Sequence, residues 1–280
     1  MEVTDRIGKA SASLTPAERR VAEVVLERPQ LVAFGTVADL AEAAASGAAT
    51  VVRLASKLGF DGFTGLQASV QESLADQLRP AAERIREPAA NDAIAAHLQL
   101  ELNNVHNTLH AVDSAALAEV VGRIADSTAR VFVLSGDASA GVARQMVNEL
   151  RAVRDHVEMI EGNEVAVRRA VALMRRDDVV IAIDLRRYDR WLVAAAEAAA
   201  DGGVFLVALT DSLLSPLAAC AARTFTVAAA GAGPFDSHVG TLALANVLVA
   251  AVATSTRQTT TERFDRAEAA WQAGSALTDR

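Results

Sequence analysis

From residue 130 onward the sequence alternates short runs rich in Val, Ile and Leu with stretches of helical periodicity, and this alternation constrains the fold more than any other feature. Runs at 130–134, 157–160, 179–184, 204–209 and 224–227 are strand candidates; 140–153, 164–174, 191–200, 216–221 and 238–256 read as helices. Strands separated by helices are joined by crossovers rather than tight turns, so the expectation is an α/β domain with a doubly wound, five-stranded parallel sheet. Ligands on such sheets bind outside the carboxyl ends of the strands. The relevant loops are then 135–139, 184–190 and 210–215, with 234–238 before the last helix as a fourth.

The first 80 residues carry helical signals only, which predicts an all-α domain. Thr15-Pro16-Ala17-Glu18 is a capping box with proline at the first helical position, and Pro29 stops the helix it opens. Thr36-Val37-Ala38-Asp39 opens a shorter helix with Val37, Leu40, Ala41 and Ala44 on one face. After Ser46-Gly47 a third helix runs over 48–58, closed by Gly59, with Phe60 placed for the apolar contact of a Schellman cap. Two short helices across a tight glycine-containing turn form the helix-turn-helix pattern. Leu66, Val70, Leu74 and Leu78 predict one more helix. Pro80 and Pro88 bracket a charged stretch, Glu83, Arg84, Arg86 and Glu87, where the two domains meet. The predicted division is a helix-turn-helix domain at 1–80, a linker and connecting helix at 81–112, an effector and oligomerisation domain at 113–256, and a tail at 257–280. Ile94, Leu98, Leu102, Val105 and Leu109 mark the connecting helix.

In the third helix, Val51, Leu54, Ala55 and Leu58 share one face, while Thr50, Arg53, Ser56 and Lys57 are expected on the opposite one. The second helix of a helix-turn-helix lies in the DNA major groove, where Arg53 suits a bidentate contact to guanine, Lys57 a phosphate, and Thr50 and Ser56 shorter hydrogen bonds. A merely solvated polar face fits the same pattern. The chain has a net charge of −8, and residues 1–79 hold eight basic and ten acidic side chains, so any DNA affinity depends on a focused patch and on dimerisation, and falls with salt.

In the second domain, Ser135-Gly136-Asp137-Ala138-Ser139 leaves a strand and enters a helix, a place where amides and a hydroxyl favour an anion; a plain turn with Ser139 as N-cap fits equally. Asp184-Leu185-Arg186-Arg187-Tyr188-Asp189-Arg190 sets three arginines around two aspartates, a pattern for anion binding or for internal pairing. Candidate effector residues are Ser135, Ser139, Asp184, Arg186, Arg187 and Ser237. No nucleophile–base pair, carboxylate dyad or metal constellation emerges, so neither a catalytic residue nor a cofactor is expected. His106 and His110 are four apart without an acidic or cysteine partner nearby and read as surface histidines, so no metal is expected. One cysteine, Cys220, fits a reducing cytoplasm, and the uncharged run at 237–256 reads as a buried helix, with no membrane role.

Leu14-Thr15-Pro16-Ala17-Glu18-Arg19, Thr36-Val37-Ala38-Asp39-Leu40-Ala41, Ala49-Thr50-Val51-Val52-Arg53 and Lys57-Leu58-Gly59-Phe60 resemble the RpiR/MurR family of bacterial transcriptional regulators. The second half, with Thr210-Asp211 and Leu214-Ser215-Pro216-Leu217, is similar to the sugar isomerase (SIS) domain those regulators carry, which implies a flavodoxin-like strand order. The resemblance implies a dimer or tetramer on a palindromic double-stranded operator, controlled by a small anionic metabolite, commonly a phosphosugar. Three departures stand out. A glycine and then a serine usually enter the recognition helix, where this chain has Ala45-Ser46-Gly47. The Gly-x-Gly-x-Ser loop keeps only its final serine, Ser139. A Ser-x-Ser-Gly-x-Thr phosphate loop is replaced by residues 184–189. Three outcomes stay open for the effector pocket: arginine has taken over anion binding, the ligand belongs to another class, or the domain only oligomerises. The competing reading is a sugar-phosphate isomerase on the same fold.

Overall fold

A computed structural model of the chain describes residues 3–10, 13–78, 93–213 and 215–275. The expected inter-domain break at 79–92 and Leu214 of the 214–217 motif lie outside the described residues, as do the side chains of Leu74 and Leu78. Contacts divide the chain into two units, Met1–Pro80 and Ala81–Arg280.

The first unit is helical: α1 (Val3–Ala10), α2 (Pro16–Glu27), α3 (Pro29–Phe34), α4 (Val37–Ala43), α5 (Ala48–Lys57) and α6 (Gly62–Leu78). Two capping boxes start α2 and α4. Glu18 accepts the Thr15 amide at 2.9 Å, and Asp39 accepts the Thr36 amide at 2.7 Å. Pro29 does end α2, but it also opens α3, because a missing N–H is tolerated in a first helical turn. Neither α1 nor α3 was among the expected helices; they span only eight and six residues, too short to be stable alone, and are held by packing, α1 through Val3 and Ile7. Val21, Val32, Leu40, Val51, Leu54 and Leu66 are fully buried at the centre of the unit.

The second unit begins with α7 (Ala93–His110) and α8 (Ser114–Ala125), followed by β1 (Val131–Ser135), α9 (Ala140–Val153), β2 (Val157–Met159), α10 (Glu164–Ala172), β3 (Val179–Ile183), α11 (Arg190–Asp201), β4 (Phe205–Thr210), α12 (Pro216–Cys220), β5 (Arg223–Thr226), α13 (Val239–Ser255) and α14 (Arg257–Gly274). All sheet pairings are parallel, in the order β2-β1-β3-β4-β5. Alternate strand residues enter opposite cores: Val131 and Val133 pack towards α9 and α13, Phe132 and Leu134 towards α10 and α11. The strand order reverses between β1 and β3, so the loops that follow these two strands flank the crevice where such sheets take ligands.

Residues 257–274, expected as a tail, form a helix that turns 101° from α13. Arg263 fixes the turn by donating to the carbonyls of Arg151, Ala152 and Arg154 near the end of α9. Among the described residues no single helix is long and apolar enough to cross a membrane.

Candidate functional site

In the first unit α4, a four-residue turn and α5 form the helix-turn-helix. Ser46 donates to the Ala41 carbonyl at 2.9 Å and Ala45 to that of Glu42 at 3.0 Å, the two bonds of a Schellman motif with Ala45 at the left-handed position, φ +43°. Gly47 lies in this turn as expected, but at φ −96° and ψ 151° it is an extended N-cap that any residue adopts, and the left-handed position falls to Ala45. Arg20 holds this turn by donating to the carbonyls of Ala44 and Ala45. A second Schellman motif closes α5, with Phe60 donating to Ala55 and Gly59 to Ser56, and here glycine does hold the left-handed position, φ +79°. Arg6 of α1 clamps this end. Its guanidinium donates to the Leu58 and Gly59 carbonyls at 3.0 Å each and stacks 4.2 Å over the Phe60 ring.

The four expected recognition residues divide. Arg53 and Ser56 are exposed on the outer face of α5. Thr50 is only 8% exposed, which corrects its expected outward placement; its hydroxyl accepts a 3.0 Å hydrogen bond from the Arg53 guanidinium. Lys57 donates to the Ser13 carbonyl at 2.6 Å and to Glu18 at 3.0 Å, tying the end of α5 to the capping box of α2. That bond and, more strongly, the Thr15 amide hold the Glu18 carboxyl at about 2, below the usual carboxylate range. Val52, which no sequence argument singled out, lies 41% exposed beside Arg53.

In the second unit, the loops that follow β1, β3 and β4 meet through carboxylates held on backbone amides. Asp184 follows β3 and accepts from its own neighbour Leu185 at 3.0 Å and from Asp189 at 2.8 Å. Asp189 accepts the Asp137 amide at 2.9 Å. Asp211, after β4, accepts the Arg186 amide at 3.1 Å and the Tyr188 hydroxyl at 2.7 Å. Gly136 lies against Asp184 so closely that a Cβ there would stand 2.3 Å from a carboxylate oxygen. Burial pushes the Asp184 carboxyl up to about 6, with the charges of Asp189 and Asp211 adding to the rise against the two amides. Burial and the Asp211 carboxylate push the Tyr188 phenol upward as well.

The expected effector residues are distributed around these loops. Ser135 ends β1 and is buried. Ser139 stands at the N-cap position of α9 as one alternative had it, but its hydroxyl is fully buried without a hydrogen-bond partner and makes no capping bond. The Arg186 guanidinium pairs with Asp236 at 2.6 Å, which joins the loop after β3 to the segment before α13. Arg187 is exposed, with φ +69°. Ser237 donates to Glu101 of α7 at 2.6 Å. Three groups at the start of α13 and on α7 escaped the sequence reading. Glu101 also accepts from Asn104, Thr241 is fully buried with an unpartnered hydroxyl, and His238 has an unpartnered Nδ1 and a pKa lowered by burial against the opposing charge of Asp236. The loop at 234–238 was marked only by its position before the last helix.

Two family models match the chain: "Helix-turn-helix domain, rpiR family" over residues 1–77 and "SIS domain" over residues 123–251. The first unit belongs to the rpiR family of helix-turn-helix domains and the second to the SIS domains, the make-up of a transcriptional regulator. An uncharacterized HTH-type transcriptional regulator of Haemophilus influenzae is 29% identical over 77% of this chain and 76% of that protein. HexR of Pseudomonas aeruginosa, also an HTH-type regulator, is 28% identical over 73% of this chain and 71% of its own. Among solved structures, the sugar isomerase domain of an RpiR transcription factor from Sphaerobacter thermophilus matches 62% of this chain and 97% of that one, with 28% identity and a TM-score of 0.57. The Vibrio vulnificus NanR protein, complexed with ManNAc-6P, shares the fold over 94% of this chain and 96% of its own, with 23% identity and a TM-score of 0.57. This regulator therefore joins a helix-turn-helix unit to a SIS domain.

Proposed function

We propose that the regulator binds a palindromic double-stranded operator as a dimer or tetramer, and that a small carbohydrate derivative in the SIS crevice controls that binding. The observation that carries the DNA half is the outer face of α5: Arg53 is exposed there and oriented by buried Thr50, with Ser56 and Val52 beside it. An arginine held in this way suits the bidentate contact to guanine, and Val52 suits a thymine methyl. Thr50 and Lys57 act by positioning, since one holds Arg53 and the other fastens α5 to α2.

Self-association is supported by an inversion on α7. Its buried side chains include polar Asn104 and Thr108, while Ile94, Leu98 and Leu102, each four residues apart, are 84%, 55% and 53% exposed. An exposed apolar stripe of this kind fits a self-complementary contact with a second copy. The effector half is supported by the unpartnered hydroxyl of Ser139 and by the sugar phosphate found in the NanR neighbour. The role is regulatory rather than catalytic, in line with relatives that are named regulators.

The test is operator binding by fluorescence anisotropy, with the operator first selected from genomic fragments. Arg53→Ala is expected to lose about 10- to 100-fold in specific affinity, equivalent to ~1–3 kcal/mol, with subunit assembly and circular dichroism unchanged. Wild-type affinity in that variant overturns the assignment of Arg53.

A further inference from the structure

Helices α10 and α11 follow β2 and β3, lie side by side on the sheet face that carries Phe132 and Leu134, and start at the same edge of the sheet. Between them is a groove of about 650 Å³, a size that accepts a small molecule. Its floor is Val167 and Val171 of α10 and Ala195 and Ala199 of α11, all buried. On α11 the exposed Ala194 and Ala198 keep the wall shallow where a longer side chain would occupy the space, and the Trp191 ring lines it near the start of the helix. Met174 and Val204 keep the far end apolar as well. The charged lining residues are confined to the other end: Glu164, Arg168 and Arg190 all stand within the first five residues of their helices. Glu164 and Arg168 pair at 2.7 Å, whereas the Arg190 guanidinium has no ion-pair partner among the described residues. One end of the groove thus keeps an uncompensated positive charge and the rest is apolar. From residue 164 to residue 172 it runs along roughly 12 Å of helix, at about 1.5 Å per residue, which suits an extended chain better than a single ring.

We propose that the α10–α11 groove is a second small-molecule site, for an amphipathic carboxylate with an unbranched tail of medium length. The tail lies along Val167, Val171, Ala195 and Ala199, where leaving water drives its binding, and the carboxylate takes charge-assisted hydrogen bonds from the guanidinium fork of Arg190. Charge complementarity selects this occupant: an uncharged apolar molecule leaves Arg190 unused, and a small polar anion leaves the apolar floor in water. None of the six candidate effector residues lines the groove, so the site is separate from the loops at the carboxyl ends of the strands and does not depend on the regulator reading.

Trp191 reports on the groove directly. The chain has two tryptophans, and Trp271→Phe on α14 leaves Trp191 as the only one. In that full-length background the Trp191 emission is titrated with octanoate and decanoate below their micellar concentrations, and with the matching alcohols. A saturable blue shift is expected, with decanoate roughly 3- to 15-fold tighter than octanoate and each acid tighter than its alcohol. Arg190→Ala is expected to weaken the acids about 5- to 20-fold and to leave the alcohols unchanged. Ala198→Leu fills the groove from an exposed helical position with a good helix former, and is expected to abolish binding of both. If Ala198→Leu does not fold by circular dichroism, Ala194→Leu takes its place with the same expectation. Sedimentation of the filled-groove variant is expected to give the subunit count of the parent protein; a lower count means that a second copy of the chain occupies the groove, and overturns the proposal. It is overturned equally by the absence of a saturable shift, by binding that survives the filled groove, by equal affinity for acid and alcohol, or by an Arg190→Ala variant that binds both classes as the parent does.

Discussion

Replacing Ala45 by glycine is expected to stabilise the helix-turn-helix. Ala45 occupies the left-handed position of the Schellman motif that ends α4, at φ +43°, and both of the motif's hydrogen bonds are made. An L-residue with a Cβ loses roughly 1–2 kcal/mol in that conformation. Glycine removes the strain but loses roughly 0.5–1 kcal/mol through the greater freedom of its unfolded chain. The difference leaves a net gain of about 0.5–1 kcal/mol. Native-state hydrogen exchange on the full chain reads it locally: amides of α4 and α5 that exchange by opening of this unit should slow by roughly 2- to 5-fold. Ala45→Val provides the opposite sign, because a β-branched side chain is strained further at positive φ. Unchanged or faster exchange in Ala45→Gly refutes the claim that the turn is strained at this residue.

Three further outcomes follow from the contacts described. Arg6→Ala removes two charge-assisted hydrogen bonds to the end of α5 and the stacking on Phe60, and should destabilise the first unit by about 1–3 kcal/mol in urea denaturation. Glu18 has its folded pKa lowered to about 2 from 4.5, so its contribution to stability is complete above pH ~4.5 and is lost as the pH falls towards 2; a denaturation midpoint followed against pH should fall more steeply in wild type than in Glu18→Gln over that window. Gly136→Ala sets a Cβ against the Asp184 carboxylate at 2.3 Å and should cost about 1–3 kcal/mol of stability in the second unit, while DNA binding by the first unit's α5 face persists; a thermal scan and anisotropy on the same sample check both.

The sheet was legible because its central strands, β1, β3 and β4, are buried on both faces and so read as uninterrupted apolar runs between helical stretches. The structure places β1, β3 and β4 within one residue of the ranges read from Val, Ile and Leu alone, and α9 on the residues expected. Elements read poorly where stability comes from contacts distant in sequence. Val3, Ile7 and Ala10 give α1 an apolar face at helical spacing, but over only eight residues, and nothing near them shows that Arg6 will meet carbonyls 52 and 53 residues away. Faces were legible to the precision of helical periodicity: Val51, Leu54 and Ala55 are fully buried as expected, but Thr50, at the boundary of the stripe, turned inward to hold Arg53. The arginines after β3 drew attention to a real convergence of loops, yet the pattern alone left anion binding and internal pairing equally open. Burial and hydrogen-bond direction decide how those loops are filled: the Arg186 guanidinium is paired with Asp236, and the amides around it face Asp184, Asp189 and Asp211. Sequence spacing cannot reveal which carboxylate an amide will choose.

The central claim is that the outer face of α5, presented by a self-associated protein, reads DNA. Footprinting of the full-length protein on its selected operator tests it most directly. The account predicts two protected half-sites related by a dyad, lying in major grooves about one helical turn or a multiple of it apart, both lost in Arg53→Ala. Continuous, sequence-independent protection, or a dyad footprint that survives Arg53→Ala unchanged, contradicts it.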